Sequence, residues 1–209
     1  MAGRAGAWGY VRLVPREGVE TGGGSRSYGD REVADAALVD YSKPGFAVVY
    51  AEGAAPAATP VRVAIADAAT GPAFDPPHAA LGAGGAITVA NASAAPHVVS
   101  CPRAGLVRRL APGESVEIAA RDAGEWPLFL LDAPGEQANV FAAPGAFQVV
   151  SAAGRFAFAD LAQGAVTLRA WHPRFPPAAR AVTLAAGGST RVDLELRVDR
   201  PAQGAGGAP

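Results

Sequence analysis

A chain of 209 residues with a formal net charge of -1 has room for two ordinary domains, and its near-neutral balance argues against a nucleic-acid or anionic-membrane partner. Half of the residues are hydrophobic, but much of that half is alanine, so the larger apolar side chains must supply most of the core. A single cysteine, Cys101, excludes an internal disulfide, and no apolar run approaches the length of a membrane span.

Residues 1–8 are small and polar and lack the make-up of a secretory leader. Residues 10–14 read as a first strand. The three glycines at 22–24, with residues 25–30, read as a long loop, and residues 34–39 as no more than a helical turn. Short β-prone runs then recur between Gly, Pro, Asn and Asp: 46–50, 61–65, 86–90, 116–119, 126–131, 147–150, 166–170, 180–184 and 190–198. In the last run Val192, Leu194, Leu196 and Val198 alternate with Arg191, Asp193, Glu195 and Arg197. That period predicts a half-buried antiparallel strand with one wet face. Residues 201–209, all Gly, Ala, Pro and one Gln, read as a disordered tail. Frequent short strands without helix signals predict an all-β chain of sandwiches.

Four segments carry a resemblance. They are Phe46-Ala-Val-Val-Tyr-Ala-Glu-Gly53; Phe74-Asp-Pro-Pro-His78 with residues 84–91 and Pro96-His-Val-Val-Ser100; Leu110-Ala-Pro-Gly-Glu-Ser115 with Ala123-Gly124; and residues 151–156 and 161–164 with Thr167-Leu-Arg-Ala-Trp-His-Pro173. In this order they resemble the bacterial methylamine-utilisation-like proteins, which join a cupredoxin-like domain to a carboxypeptidase-regulatory-like (transthyretin-like) domain. The resemblance covers about three quarters of the chain and implies two β-sandwiches, a cupredoxin-like Greek key and a regulatory-like (prealbumin-like) one. It places the cupredoxin-like domain at 58–143. Residues 1–55 hold the first strands of the regulatory-like sandwich, beginning at Gly9-Tyr-Val-Arg-Leu13, residues 145–199 hold its remainder, and 200–209 are the tail. It also implies a periplasmic or extracellular location.

Cupredoxins hold copper with one His on a strand and a Cys–His–Met cluster on a later loop, a trigonal thiolate–imidazole set with a weak axial thioether. The segment here that resembles that loop is Phe129-Leu-Leu-Asp-Ala-Pro-Gly-Glu136. It offers Leu130 for the Cys, Ala133 for the His and Glu136 for the Met; of the ligands only His97 stands. The resemblance thus implies a scaffold without its type 1 copper, with no cofactor. An altered copper or zinc site would have to draw on His97 and Cys101, four apart on one strand, and on His78; a capping His97 and a simply buried Cys101 are the plainer reading. Trp171 and His172 are either a partner-binding surface or a packed Trp beside a backbone-bonded His.

Other signals lead nowhere. Asn91-Ala-Ser93 matches a glycosylation acceptor but lies at an expected hairpin, residues 82–85 open no helix, and Ser100, Ser115 and Ser151 lack a His–acid partner pair. Asp160 reads as turn chemistry. The expectation is a non-enzymatic binding or structural module with a protein partner, the alternative being a copper-handling or electron-transfer protein centred on His97 and Cys101.

Overall fold

The structure is a computed structural model and describes residues 3–15, 40–41, 43–150 and 152–197. The expected loop at 22–30, the turn at 34–39, Ser151, Val198 and the tail lie outside the described residues. Among the described residues seventeen strands follow one another: Arg4–Val14 (β1), Val48–Ala51 (β2), Val61–Ala68 (β3), Gly71–Asp75 (β4), His78–Gly82 (β5), Ala86–Asn91 (β6), His97–Cys101 (β7), Leu106–Leu110 (β8), Ser115–Ala119 (β9), Gly124–Leu130 (β10), Gln137–Ala143 (β11), Ala146–Val149 (β12), Arg155–Ala162 (β13), Gly164–His172 (β14), Phe175–Leu184 (β15), Ser189–Arg191 (β16) and Leu194–Arg197 (β17). Among the described residues a single 3-10 turn, Pro102–Ala104, interrupts them, and no helix is long and apolar enough to cross a membrane. The chain is all-β, built of sandwiches.

It divides into two compact units. One is Tyr50–Val149; the other combines Met1–Val49 with Val150–Pro209.

In the Tyr50–Val149 unit, β4-β3-β6-β9 form one sheet and β5-β11-β10-β7-β8 the other. The chain changes sheet between β4 and β5, β5 and β6, β6 and β7, β8 and β9, and β9 and β10, which makes a Greek key. Alternation explains the packing: Val63 and Ile65 on β3, Ile87 and Val89 on β6, Val99 on β7 and Leu128 on β10 all turn into one core drawn from both sheets. Each such side chain contributes about 1.5–3 kcal/mol by leaving water. Arg103, at the 3-10 turn, ties the β9–β10 turn to this body. Its guanidinium donates to the carbonyls of Glu125 (2.7 Å) and Ala123 (2.8 Å) and lies 4.7 Å from the Trp126 ring centroid. Gly124, at φ +114°, leaves the room: a Cβ there would sit 2.9 Å from Arg103 Nη1.

In the other unit β1 is central. It pairs with β13 on one side and with β16 and then β17 on the other, while β2, β14 and β15 are neighbours in a second sheet. Val11, Leu13, Phe156, Leu168, Leu194 and Leu196 are buried.

The final run keeps its expected faces, with Val192, Leu194 and Leu196 buried and Arg191, Glu195 and Arg197 exposed. Its pairing differs from expectation: β16 and β17 run parallel to β1, and the run is broken at Val192–Asp193. Alternation reports which face is dry; it carries no information on strand direction. The break has a local cause. Val192 N–H donates to the Trp8 carbonyl (2.8 Å), and the Val192 carbonyl lies so close to Gly9 that a Cβ there would approach within 1.9 Å. Asp193 then turns back to accept the Tyr10 N–H at 3.1 Å.

Candidate functional site

The end of the Tyr50–Val149 unit where β7 begins and β10 ends gathers three buried polar side chains, Asn91, Ser93 and His97. Asn91 closes β6. Its Nδ2 donates to the carbonyls of Ala95 (2.8 Å) and Leu110 (3.0 Å), and its Oδ1 accepts from the backbone N–H of Ser93 (3.0 Å) and lies 2.6 Å from the Ser93 hydroxyl. Asn91 is therefore a buried brace at a crossover between sheets rather than a hairpin residue, and it presents no amide to solvent.

His97 opens β7, on the same inward face as Val99 and Cys101, and is 6% exposed. Its partner comes from the turn after β10. Phe129 pairs with Ser100 and Leu130 with Val99, and the ladder then stops. Leu131 N–H still reaches the Val98 carbonyl (2.9 Å), and the next side chain, Asp132, takes over. Its Oδ1 accepts the Val98 N–H at 2.9 Å, and its Oδ2 lies 2.7 Å from His97 Nδ1. Asp132 is held below the ordinary aspartate value. Partial burial works against the charged form, but the Val98 N–H and the His97 ring outweigh it. An ionised carboxylate at this distance requires the proton on Nδ1. His97 Nε2 is buried and has no hydrogen-bond partner among the described residues.

The other candidates do not converge on it. Cys101 shares the inward face of β7, but four residues along a strand is about 13 Å. Burial raises the Cys101 thiol above its ordinary value, against the opposing pull of the Ala104 and Arg103 amides and the Arg103 charge, so it is a poor source of thiolate. His78 opens β5, where Ala79 and Leu81 are the core-facing residues, so His78 projects from the opposite face of the sheet. The register places it opposite Asn139, which is opposite Pro127, level with residue 102 of the β7 side. It is thus three strand spacings, about 14 Å, across and about 16 Å along from His97. Burial lowers His78 below the ordinary histidine value, with the Pro77 backbone opposing. Among the described residues no three His, Cys, Asp or Glu side chains form a group able to hold a metal ion.

A cupredoxin-type copper does not fit these donors. A carboxylate behind an imidazole with a bare Nε2 is half of a familiar metal arrangement, but the donor set stops at that one nitrogen. The hairpin supplies Leu130, Ala133 and Glu136, and Cys101 is out of reach. The Ser93 hydroxyl at this end is engaged with Asn91 and Ala95. Sequence reasoning missed Asp132, which lies 35 residues from His97.

Trp171 and His172 end β14 and are 5% and 7% exposed. Trp171 packs edge-on to Phe46 with ring centroids 6.3 Å apart; His172 Nε2 lies 3.1 Å from the Pro44 carbonyl, and its Nδ1 accepts the Arg174 N–H at 3.0 Å. Of the two readings of these residues, the geometry is that of the packed one: both are interior, and each ring nitrogen of His172 is satisfied by backbone. Asp160 is likewise not in a turn. It stands on β13 and pairs with Arg4 at 3.0 Å.

No protein-family model and no curated protein matches the chain. Among solved structures it is similar to a purple cupredoxin from Nitrosopumilus maritimus, with 17% identity over 40% of this chain and 99% of that one, at a TM-score of 0.35. It is also similar to a pseudoazurin from Hyphomicrobium denitrificans (15% identity, 42% and 77%, TM-score 0.34) and to an amicyanin variant (18%, 39% and 82%, TM-score 0.33). The fold class itself stands on the strand order and the shared core.

Proposed function

We propose that the protein is a non-catalytic binding or structural module of the periplasm or extracellular space, in which a cupredoxin-like sandwich that lacks type 1 copper accompanies a regulatory-like sandwich and docks on a protein partner. The observation that carries this reading is the His97–Asp132 pair. The one imidazole in the place of a copper ligand is engaged through Nδ1, and the facing hairpin brings no sulfur and no second imidazole. Rigid sandwiches with loops at both ends suit docking, and fold alone does not name the partner. The test is metal loading. After incubation with Cu(II) or Zn(II) and dialysis, the metal retained per chain should be far below one, and one tightly held ion per chain overturns the reading.

A second reading is favoured by the bare, buried Nε2 of His97: a copper-handling site in which His97 and Cys101 act together after rearrangement. It requires a strong visible absorption with Cu(II) that Cys101→Ser abolishes. A silent spectrum removes it.

A further inference from the structure

We infer that Asp132 does the mechanical work that a metal would do at this end of the sandwich, fastening the β10–β11 hairpin to the start of β7 with a carboxylate. The inference rests on the metal-free reading above and goes beyond it in assigning a role to His97 and Asp132.

The argument begins where the β7–β10 ladder runs out. Beyond Leu130 the chain must reverse within Leu131–Glu136 to start β11, so the regular exchange of backbone hydrogen bonds with β7 ceases. Three bonds replace it in succession: Leu131 N–H to the Val98 carbonyl, Val98 N–H to Asp132 Oδ1, and His97 Nδ1–H to Asp132 Oδ2. The carboxylate stands where the carbonyl of a continuing strand would stand, and it spends both oxygens on two consecutive residues of β7. Charge-assisted bonds of this kind are about twice as strong as neutral ones. The hairpin behind it is a tight turn closed by Leu130 N–H to the Glu136 carbonyl (3.2 Å) and Glu136 N–H to the Ala133 carbonyl (3.1 Å), with Gly135 at φ +99°. Asp132 is therefore delivered by a fixed turn to a fixed strand, and His97 is fixed in turn by burial. A metal bound between strand and loop ties the same two elements. Here the tie is made within the polypeptide and needs no cofactor to be loaded.

The experiment is a double-mutant cycle on the whole chain with His97→Gln and Asp132→Asn, read by chemical unfolding through the fluorescence of its three tryptophans, alongside amide hydrogen exchange of the unmodified protein. The two single variants should each destabilise, and together they should fall short of additivity by at least tenfold in the unfolding equilibrium constant. In the unmodified protein the Val98 and Leu131 amides should be protected from exchange in the presence of a chelator as fully as in its absence. The exchange readout stands even if a variant fails to fold. Additive variants, or Val98 and Leu131 amides that exchange freely until Zn(II) or Cu(II) is added, overturn the inference. If no metal is retained and the variants are additive, the clasp alone fails and the proposed function stands; if one ion is retained through His97, both fail.

Discussion

At the scale of single residues, carboxylates act here as replacements for backbone. Asp132 continues one ladder where the strand has ended. Asp193, at the break between β16 and β17, accepts the Tyr10 N–H of β1 while it pairs with Arg191 at 2.9 Å. The Arg191 hydrogen bond is the main reason that Asp193 is held below its ordinary value; desolvation opposes it, and the Tyr10 N–H adds to it. An acid depressed in this way stabilises the fold fully above its unfolded value near pH 4, and the contribution is lost as pH falls through the lower folded value. The Asp193→Asn protein is therefore expected to be less stable than the unmodified one at pH 6, with a gap that narrows steadily as pH drops below about 4. Urea unfolding across that range checks it, and a gap that stays constant with pH counts against the role given to the charge. Neither residue was legible as a brace in the sequence. The motif resemblance directed attention to Leu130, Ala133 and Glu136, where ligands are missing, and Asp132 between them belongs to no motif. Contacts such as His97 to Asp132 are set by topology, which a local reading does not contain.

At the scale of elements, the sequence declared those strands in which large β-branched or aromatic residues alternate with polar ones, such as β3, β6, β10 and β14. Strands outside the runs read from sequence are β4, β5, β7, β8, β11 and β13, and β5, β11 and β8 show two reasons. In β5 and β11 alanine supplies much of the buried face, and alanine gives a weak β signal. In β8 the pattern is interrupted by charge: Leu106, Arg108 and Leu110 share the face toward the core, Leu110 is fully buried, Leu106 packs on the core, and Arg108 between them is exposed. This strand is the last of its sheet, and Val107, next to Arg108, is 65% exposed. An arginine on the inward side of an edge strand deters pairing with another copy. Arg108→Val should therefore leave unfolding stability within about 0.5 kcal/mol while producing concentration-dependent association, seen by light scattering during size-exclusion chromatography. A variant that stays monomeric at high concentration shows that Arg108 does not guard the edge.

At the scale of the whole molecule, the two units differ in how the chain supplies them. Tyr50–Val149 is continuous and owns a complete core from both its sheets, with its ends brought together where Ala146 N–H meets the Ala54 carbonyl at 3.2 Å. Excised as residues 50–149, it should unfold in one cooperative transition, followed by Trp126, the only tryptophan in that stretch. A gradual, non-cooperative change would show that the stretch is not an independent unit. The other unit is made from segments far apart in sequence: β1, near the start of the chain, lies beside β16 and β17, near its end. During synthesis, then, β1 leaves the ribosome without the neighbours that flank it on that side. The inserted sandwich is complete as soon as residue 149 has emerged, while the first strand waits, the backbone N–H and C=O groups of that edge unpaired, until Arg197 has emerged and the last strands can line up in parallel beside it.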